Sequence, residues 1–298
     1  MAELTRSQFD VLVALEDANE ITQRELGRVT GYSLGKINRV MKELIVAGLV
    51  ADGKLTSDGL DALEPYRVRK AIFLAAGFGS RLVPITYNTP KPLVRVHGER
   101  IIDRLIDACL NIGIEEIWIV RGYLSEQFDQ LLYKYPKIRF LENPMFNEAN
   151  NISSAVSARV LLGNAYVFEA DLVLNNPGIL RKYHYTSDFL AIKKERTDDW
   201  CFRVKNGIIV EEKLGGAGSD IWQMVGISYW NISDGQKLAQ DLIDVYTSPG
   251  GKERYWEQVP LSYCKQHYAV EVVPCFEEDV VEIDTFSELR AIDKSYDI

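Results

Sequence analysis

Residues 74–82 read Leu74-Ala75-Ala76-Gly77-Phe78-Gly79-Ser80-Arg81-Leu82, and Thr89-Pro90-Lys91-Pro92-Leu93 follows a few residues later. A glycine loop after an apolar run lets backbone N–H groups approach phosphate oxygens, because no side chain intervenes. Two glycines alone mark many tight strand-to-helix turns. This loop is neither the dinucleotide fingerprint GxGxxG nor a P-loop, which would need a Gly-Lys-Ser/Thr ending. The basic pair Arg81 and Lys91 adds cations that can stabilise charge on phosphate groups. Two carboxylates sit where open α/β sheets place their ligands, at the carboxyl ends of predicted strands. Asp171 follows Tyr166-Val167-Phe168-Glu169-Ala170, and Asp284 follows Val280-Val281-Glu282-Ile283. A turn residue (Asp171) and a helix cap (Asp284) are the competing readings.

The loop, Arg81 and the Thr-Pro-Lys-Pro-Leu segment, in this order, resemble the signature of the nucleotidyltransferase superfamily that includes sugar-phosphate and phosphocholine cytidylyltransferases. The resemblance implies a Rossmann-like sheet with the nucleotide bound over its first loop, touching Leu74, Ala75, Ala76, Gly77, Gly79 and Ser80. It implies that Arg81 holds the β- and γ-phosphates, that Lys91 neutralises charge around the α-phosphorus, and that Asp171 and Asp284 hold Mg2+. Magnesium suits oxygen ligands and keeps several waters, so two carboxylates and the substrate phosphates suffice. Gly122 and Tyr123 resemble the family's base-side loop. Asn150-Asn151-Ile152-Ser153-Ser154 resembles a segment of its choline branch, with Asn150 and Ser154 near the base; helix capping by the asparagines fits equally well.

The acceptor is sought among aromatic residues. Trp200, Trp222, Trp230 and Trp256 lie after residue 199, with Tyr229 and Tyr255 beside them. A quaternary ammonium donates no conventional hydrogen bond and is held by aromatic faces with a carboxylate nearby. Asp199, Trp200, Tyr229, Tyr255 and Trp256 stand where phosphocholine cytidylyltransferases carry comparable residues, so the expected reaction is CTP with phosphocholine giving CDP-choline and pyrophosphate. Aromatic residues in strands also serve as core. A nearer rival acceptor is 2-aminoethylphosphonate, whose primary ammonium would be favoured by an added hydrogen-bonding carboxylate. Sugar phosphates are disfavoured, since Glu212-Lys213 is followed by Leu214 where the sugar enzymes commonly have proline. A different class of function, a regulator that only senses a nucleotide, need not keep Arg81, Lys91, Asp171 and Asp284 together.

These residues need a scaffold. Buried-type runs at 71–76, 117–120 and 165–168 alternate with helical segments near 101–112 and 124–133, which predicts an α/β fold with a mixed, mostly parallel sheet over residues 70–298. Residues 1–66 read differently, as a small helical domain. Phe9, Val11, Leu12 and Leu15 share one helical face. Thr22 with Glu25 forms a capping box, and Ser33 opens a third helix with an apolar stripe of Ile37, Val40, Met41, Leu44 and Ile45. Asp52-Gly53 signals a hairpin. The order resembles winged-helix DNA-binding domains of the MarR-like branch, and implies that Ser33, Lys36, Asn38, Arg39 and Lys42 face DNA. Against this, residues 1–69 carry 9 Lys or Arg and 11 Asp or Glu, so a solvated helix face explains them too.

The whole 298-residue chain carries a formal net charge of −9, which argues against chain-wide affinity for nucleic acid or anionic membranes. Four scattered cysteines without a CxxC pair, and three dispersed histidines, argue against a zinc site and read as small buried hydrophobes and isolated imidazoles. No signal peptide or long apolar run is visible, so a cytoplasmic protein is expected.

Overall fold

The computed structural model describes residues 3–18 and 21–297. The chain divides into two compact units, one running through Arg67 and taking in Tyr183–Tyr185, the other comprising Val68–Lys182 and Thr186–Ile298.

In the first unit, α1 (Arg6–Asp17), α2 (Gln23–Thr30) and α3 (Leu34–Val46) precede a hairpin of β1 (Val50–Ala51) and β2 (Lys54–Leu55), then α4 (Ser57–Leu63). Thr5 and Thr22 each close a capping box, and Ser33 caps α3 through its hydroxyl. These caps satisfy N–H groups that a helix start leaves unpaired. The hairpin turns through Asp52 and Gly53, both at positive φ (50° and 75°), the geometry that matches strand twist. Phe9, Leu12, Leu26, Ile37, Val40 and Leu44 form the core. Ile45 departs from the expected stripe and is 52% exposed, since it lies one step beyond the buried face defined by Ile37, Val40, Met41 and Leu44. Tyr185 completes this unit: its ring stacks on Tyr66, meets Phe9 at 5.3 Å, and its hydroxyl donates to the Leu4 carbonyl.

The second unit follows the order β3 (Lys70–Ala75), β4 (Arg95–Val96), β5 (Glu99–Arg100), α5 (Ile101–Asn111), β6 (Glu116–Arg121), β7 (Arg139–Glu142), α6 (Ile152–Ala158), β8 (Ala165–Glu169) and β9 (Leu172–Leu174). It continues with β10 (Asp188–Lys193), β11 (Arg196–Lys205), β12 (Ile208–Ala217), β13 (Ile221–Trp230), α7 (Ile232–Thr247), β14 (Glu271–Cys275), β15 (Val280–Glu282) and α8 (Phe286–Ile292). The segment expected as a helix near 124–133 is a run of tighter 3₁₀ turns, Ser125–Tyr133.

One nine-stranded sheet organises this unit, with the order β10-β14-β12-β11-β13-β8-β3-β6-β7. The sheet is mixed. Its β7-β6-β3-β8 part is parallel, β13 runs antiparallel to β8, and β11 and β12 form a long antiparallel hairpin. β3 alternates between two cores: Ala71, Phe73 and Ala75 face one with α5, while Ile72 faces the other with α6 and α7. A strand covered on both faces has no solvent side, which is why 71–76 reads as an unbroken apolar run. The carboxyl ends of β3 and β8 lie side by side, as Leu74 pairs with Glu169. A small second ladder sets β15 antiparallel to β9, with Glu282 opposite Leu172.

Candidate active site

At those strand ends lies a cavity of about 730 Å³, of a size suited to small ligands. Leu74, Ala75, Ala76, Gly77, Gly79, Ser80 and Arg81 form one wall. Gly79 has φ +60°, and a Cβ there would lie 3.0 Å from Lys91 Cβ and 3.1 Å from Thr86 Cγ2. Glycine takes this left-handed turn without strain, and its missing side chain lets the lysine pass so close.

Lys91 is 8% exposed. Its Nζ donates to Asp171 Oδ2 at 2.8 Å and to Asp284 Oδ1 at 3.0 Å, and Arg81 reaches the same Asp284 oxygen at 2.7 Å. Four predicted residues from three distant stretches therefore meet at one point. Burial pulls the Lys91 ammonium down, but Asp171 and then Asp284 outweigh it and hold its pKa above the ordinary value. Asp284 is not the cap of α8. Thr285 caps that helix, and Glu288 accepts from the N–H groups of both Asp284 and Thr285.

Two further carboxylates join them. Oxygens of Glu169, Asp171 and Glu282 lie within 4.8 Å of one another, and Asp171 Oδ1 is buried without a hydrogen-bond partner. Burial, with Asp171, Glu169 and Asp284 close by, pushes the Glu282 carboxyl up to about 9. Burial, with Glu257 and Asp171 beside it, raises Glu169 well above the carboxylate range. Crowded carboxylates with an orphaned oxygen and no nitrogen or sulfur donor among them suit a hard divalent cation. The signal for the added pair was in the sequence as Glu169-Ala170-Asp171 and Glu282-Ile283-Asp284. Spacing of two puts side chains on the same side of an extended segment.

Asn150 and Ser154 both line the cavity. Asn143, unremarked in the sequence, fixes this wall by donating to Ser153 Oγ at 2.9 Å and Ser154 Oγ at 3.0 Å. Asn151, the residue before α6, makes no side-chain cap but accepts from the Trp256 N–H. Gly122 and Tyr123 stand behind the wall rather than in it. A Cβ on Gly122 would strike Phe146 at 2.6 Å, while Tyr123 donates its N–H to Ala76 and its hydroxyl to the Thr86 carbonyl. They brace the glycine loop, and the surfaces offered to a ligand are those of Phe78 and Phe146.

The acceptor wall divides the aromatic residues. Trp200 and Tyr255 line the cavity with ring centroids 5.6 Å apart, beside Asp199, whose Oδ2 accepts from Gln223. Tyr229 and Trp256 do not reach it. β13 runs antiparallel to β8, so Tyr229 pairs with Tyr166, away from the carboxyl end of β8, and is fully buried. Trp256 turns opposite to its neighbours and packs on Phe189 and Trp230 in the core. In its place the cavity gains Glu257, 2% exposed, whose Oε2 has no hydrogen-bond partner. Nothing in the spacing of the sequence marked this glutamate.

A glycine loop over a first parallel strand, two converging cations and a carboxylate cluster would suit nucleotide phosphates and a hard cation. Comparison with known proteins shows the family. Residues 70–204 match the family described as Nucleotidyl transferase, and residues 2–59 match the MarR family. A 2-aminoethylphosphonate cytidylyltransferase from Lancefieldella rimae is 36% identical over 76% of this chain and 92% of its own length. A choline-phosphate cytidylyltransferase from Streptococcus pneumoniae is 31% identical over 76% of this chain and 97% of its own. A solved structure of CTP:phosphocholine cytidylyltransferase from that organism has a TM-score of 0.70 at 28% identity, covering 77% of this chain and 99% of that one. The chain belongs to the nucleotidyltransferase family, as a cytidylyltransferase acting on phosphorylated substrates, with a MarR-family domain ahead of the catalytic one. Among the described residues, no helix is long and apolar enough to cross a membrane.

Proposed function

We propose that the chain transfers the cytidylyl group of CTP to 2-aminoethylphosphonate and releases pyrophosphate. The observation that carries this acceptor is Glu257. Its buried carboxyl group lines the same cavity as Trp200 and Tyr255, with one oxygen unpaired. A primary ammonium donates hydrogen bonds to such an oxygen, whereas a trimethylammonium cannot. With Tyr229 and Trp256 in the core, the aromatic faces expected to enclose a quaternary ammonium are halved. Similarity to the phosphonate cytidylyltransferase adds support.

An anionic oxygen of the phosphonate attacks the α-phosphorus in line, the new P–O bond forms, and the bond to the β-phosphate oxygen breaks. No general base is required, because the nucleophile is already an anion at neutral pH. Catalysis is then positioning and electrostatics. Arg81 and Lys91 stabilise charge on the phosphates. Asp171 and Asp284, with Glu169 and Glu282 beside them, would hold Mg2+, which when bound supplies charge neutralisation at the phosphate oxygens. Asn150 and Ser154, which line the cavity, would read the base. Burial, with Glu212 nearby, pushes the Glu257 carboxyl up to about 8 in the free protein, and an ammonium against it restores the ionised form.

Pyrophosphate release with magnesium and CTP tests this, using 2-aminoethylphosphonate, phosphocholine and glucose 1-phosphate in separate reactions. The phosphonate should give the highest kcat/KM, and Glu257→Gln should remove that preference by about tenfold or more. Preference for phosphocholine would return the acceptor to the choline class. Silence with every acceptor, from a folded protein that binds CTP, would replace catalysis with sensing.

A further inference from the structure

Away from the active site, α7 and the segment after Tyr263 bring together three residues that the sequence scatters. Asp241 lies on α7 and is buried; Cys264 and His267 follow at a Cys-x-x-His spacing. One ligand atom from each lies within 4.8 Å of the other two. His267 Nδ1 is 2.8 Å from Asp241 Oδ2, and the Tyr268 hydroxyl donates to that same oxygen at 2.6 Å.

We propose that Asp241, Cys264 and His267 form a second metal site, selective for Zn2+ or a similar transition ion and distinct from the magnesium centre. A thiol, an imidazole and a carboxylate together are a zinc-type donor set, and a hard ion such as Mg2+ has no use for sulfur. Ligand atoms at ordinary zinc distances and tetrahedral angles stand roughly 3.3–3.8 Å apart, so side-chain adjustments of about an ångström close the site. Tyr268 supplies the outer hydrogen bond that orients a ligating carboxylate. Three protein ligands leave the fourth position to water, on the side where the His267 ring is partly exposed. The ion pins the Val259–Tyr263 turn and the residues that follow it to α7. That turn continues directly from Tyr255 and Glu257, so the pin steadies the acceptor wall without touching substrate.

Cobalt substitution decides the matter. The full chain, stripped with a chelator and titrated with Co2+, should hold one of the ions it takes up with a thiolate-to-cobalt charge-transfer band and the intense visible bands of a tetrahedral ion. Cys264→Ser should abolish the charge-transfer band, and His267→Gln should weaken uptake at least tenfold. Both variants should keep CTP-dependent pyrophosphate release at saturating acceptor. Asp171→Ala, which removes a magnesium ligand, should leave the cobalt spectrum unchanged. No charge-transfer band in the wild-type protein, or one that survives Cys264→Ser in a protein with unaltered circular dichroism, overturns the site. Because the readout is spectroscopic, the result stands whichever acceptor the enzyme uses.

Discussion

At the scale of single residues, the site balances four acidic groups against two cations. Lys91 touches Asp171 and Asp284, and Arg81 shares the second of these. Loss of one carboxylate removes an anchor for Lys91 and, on the proposed reading, a metal ligand with it. Asp171→Ala is therefore expected to lower kcat by at least about 10²-fold with an unchanged far-UV spectrum. Retained turnover in a pyrophosphate assay would remove Asp171 from the metal set. Glu212 makes a separate, pH-dependent prediction. Burial pushes its carboxyl up to about 7, against a hydrogen bond from Ser262 that pulls the other way. The unfolded chain ionises near pH 4.5 while the folded one keeps the proton until about 7, so over this window stability falls as pH rises. Melting temperatures measured from pH 5 to 8 in chelator should drop across that range, and the drop should be smaller in Glu212→Gln. An equal drop in the variant would locate the titration elsewhere. The residues proposed for phosphate chemistry were legible because they sit in one stretch with a fixed order. Glu257 was not, since a lone glutamate beside two aromatics has no periodicity to betray which way it points.

At the scale of elements, position depends on how strand ends and helix starts coincide. Asp284 is held by a turn whose N–H groups are absorbed by Glu288 of α8, with Thr285 closing the capping box. Thr285→Ala should cost about 1 kcal/mol in urea unfolding. Because the same turn aims Asp284, turnover should fall as well; a stability loss without an activity loss would separate the two roles. Gly79→Ala attacks the opposite wall, forcing a side chain into a left-handed turn and against Lys91. A destabilisation of about 1–2 kcal/mol and a raised KM for CTP are expected, measured by unfolding and by initial rates. Apolar runs and caps announced these elements well, as Thr22 and Ser33 show. The sequence could not say which face of β13 meets the cavity. Tyr229 and Trp230 occupy its core end, while Gln223, Met224, Val225 and Gly226 line the site, and only pairing with β8 decides this.

At the scale of the whole molecule, a MarR-family domain precedes the nucleotidyltransferase domain. On α3, Ser33, Asn38, Arg39 and Lys42 are exposed, whereas Lys36 stacks its ammonium 3.5 Å from the Tyr32 ring centroid and Arg39 leans toward Glu43. We propose that this face contacts DNA. Gel shifts on the region upstream of the coding sequence should show binding that weakens with salt, and Arg39→Ala with Lys42→Ala should lower the salt slope by about two. Absence of a shift even at low salt would leave the domain a structural or protein-contacting role. The catalytic core also has a history written into its topology. Lys91 and Asp284 meet in space but are separated by 193 residues of chain, and β15 joins its ladder only by pairing back onto β9. A ribosome making this protein therefore exposes the glycine loop and Lys91 long before it delivers Asp284, the carboxylate that Lys91 and Arg81 share. Until Asp284 emerges, the nascent chain carries both cations without the carboxylate that holds them together, so the cluster can assemble only after the β15 ladder has closed on β9.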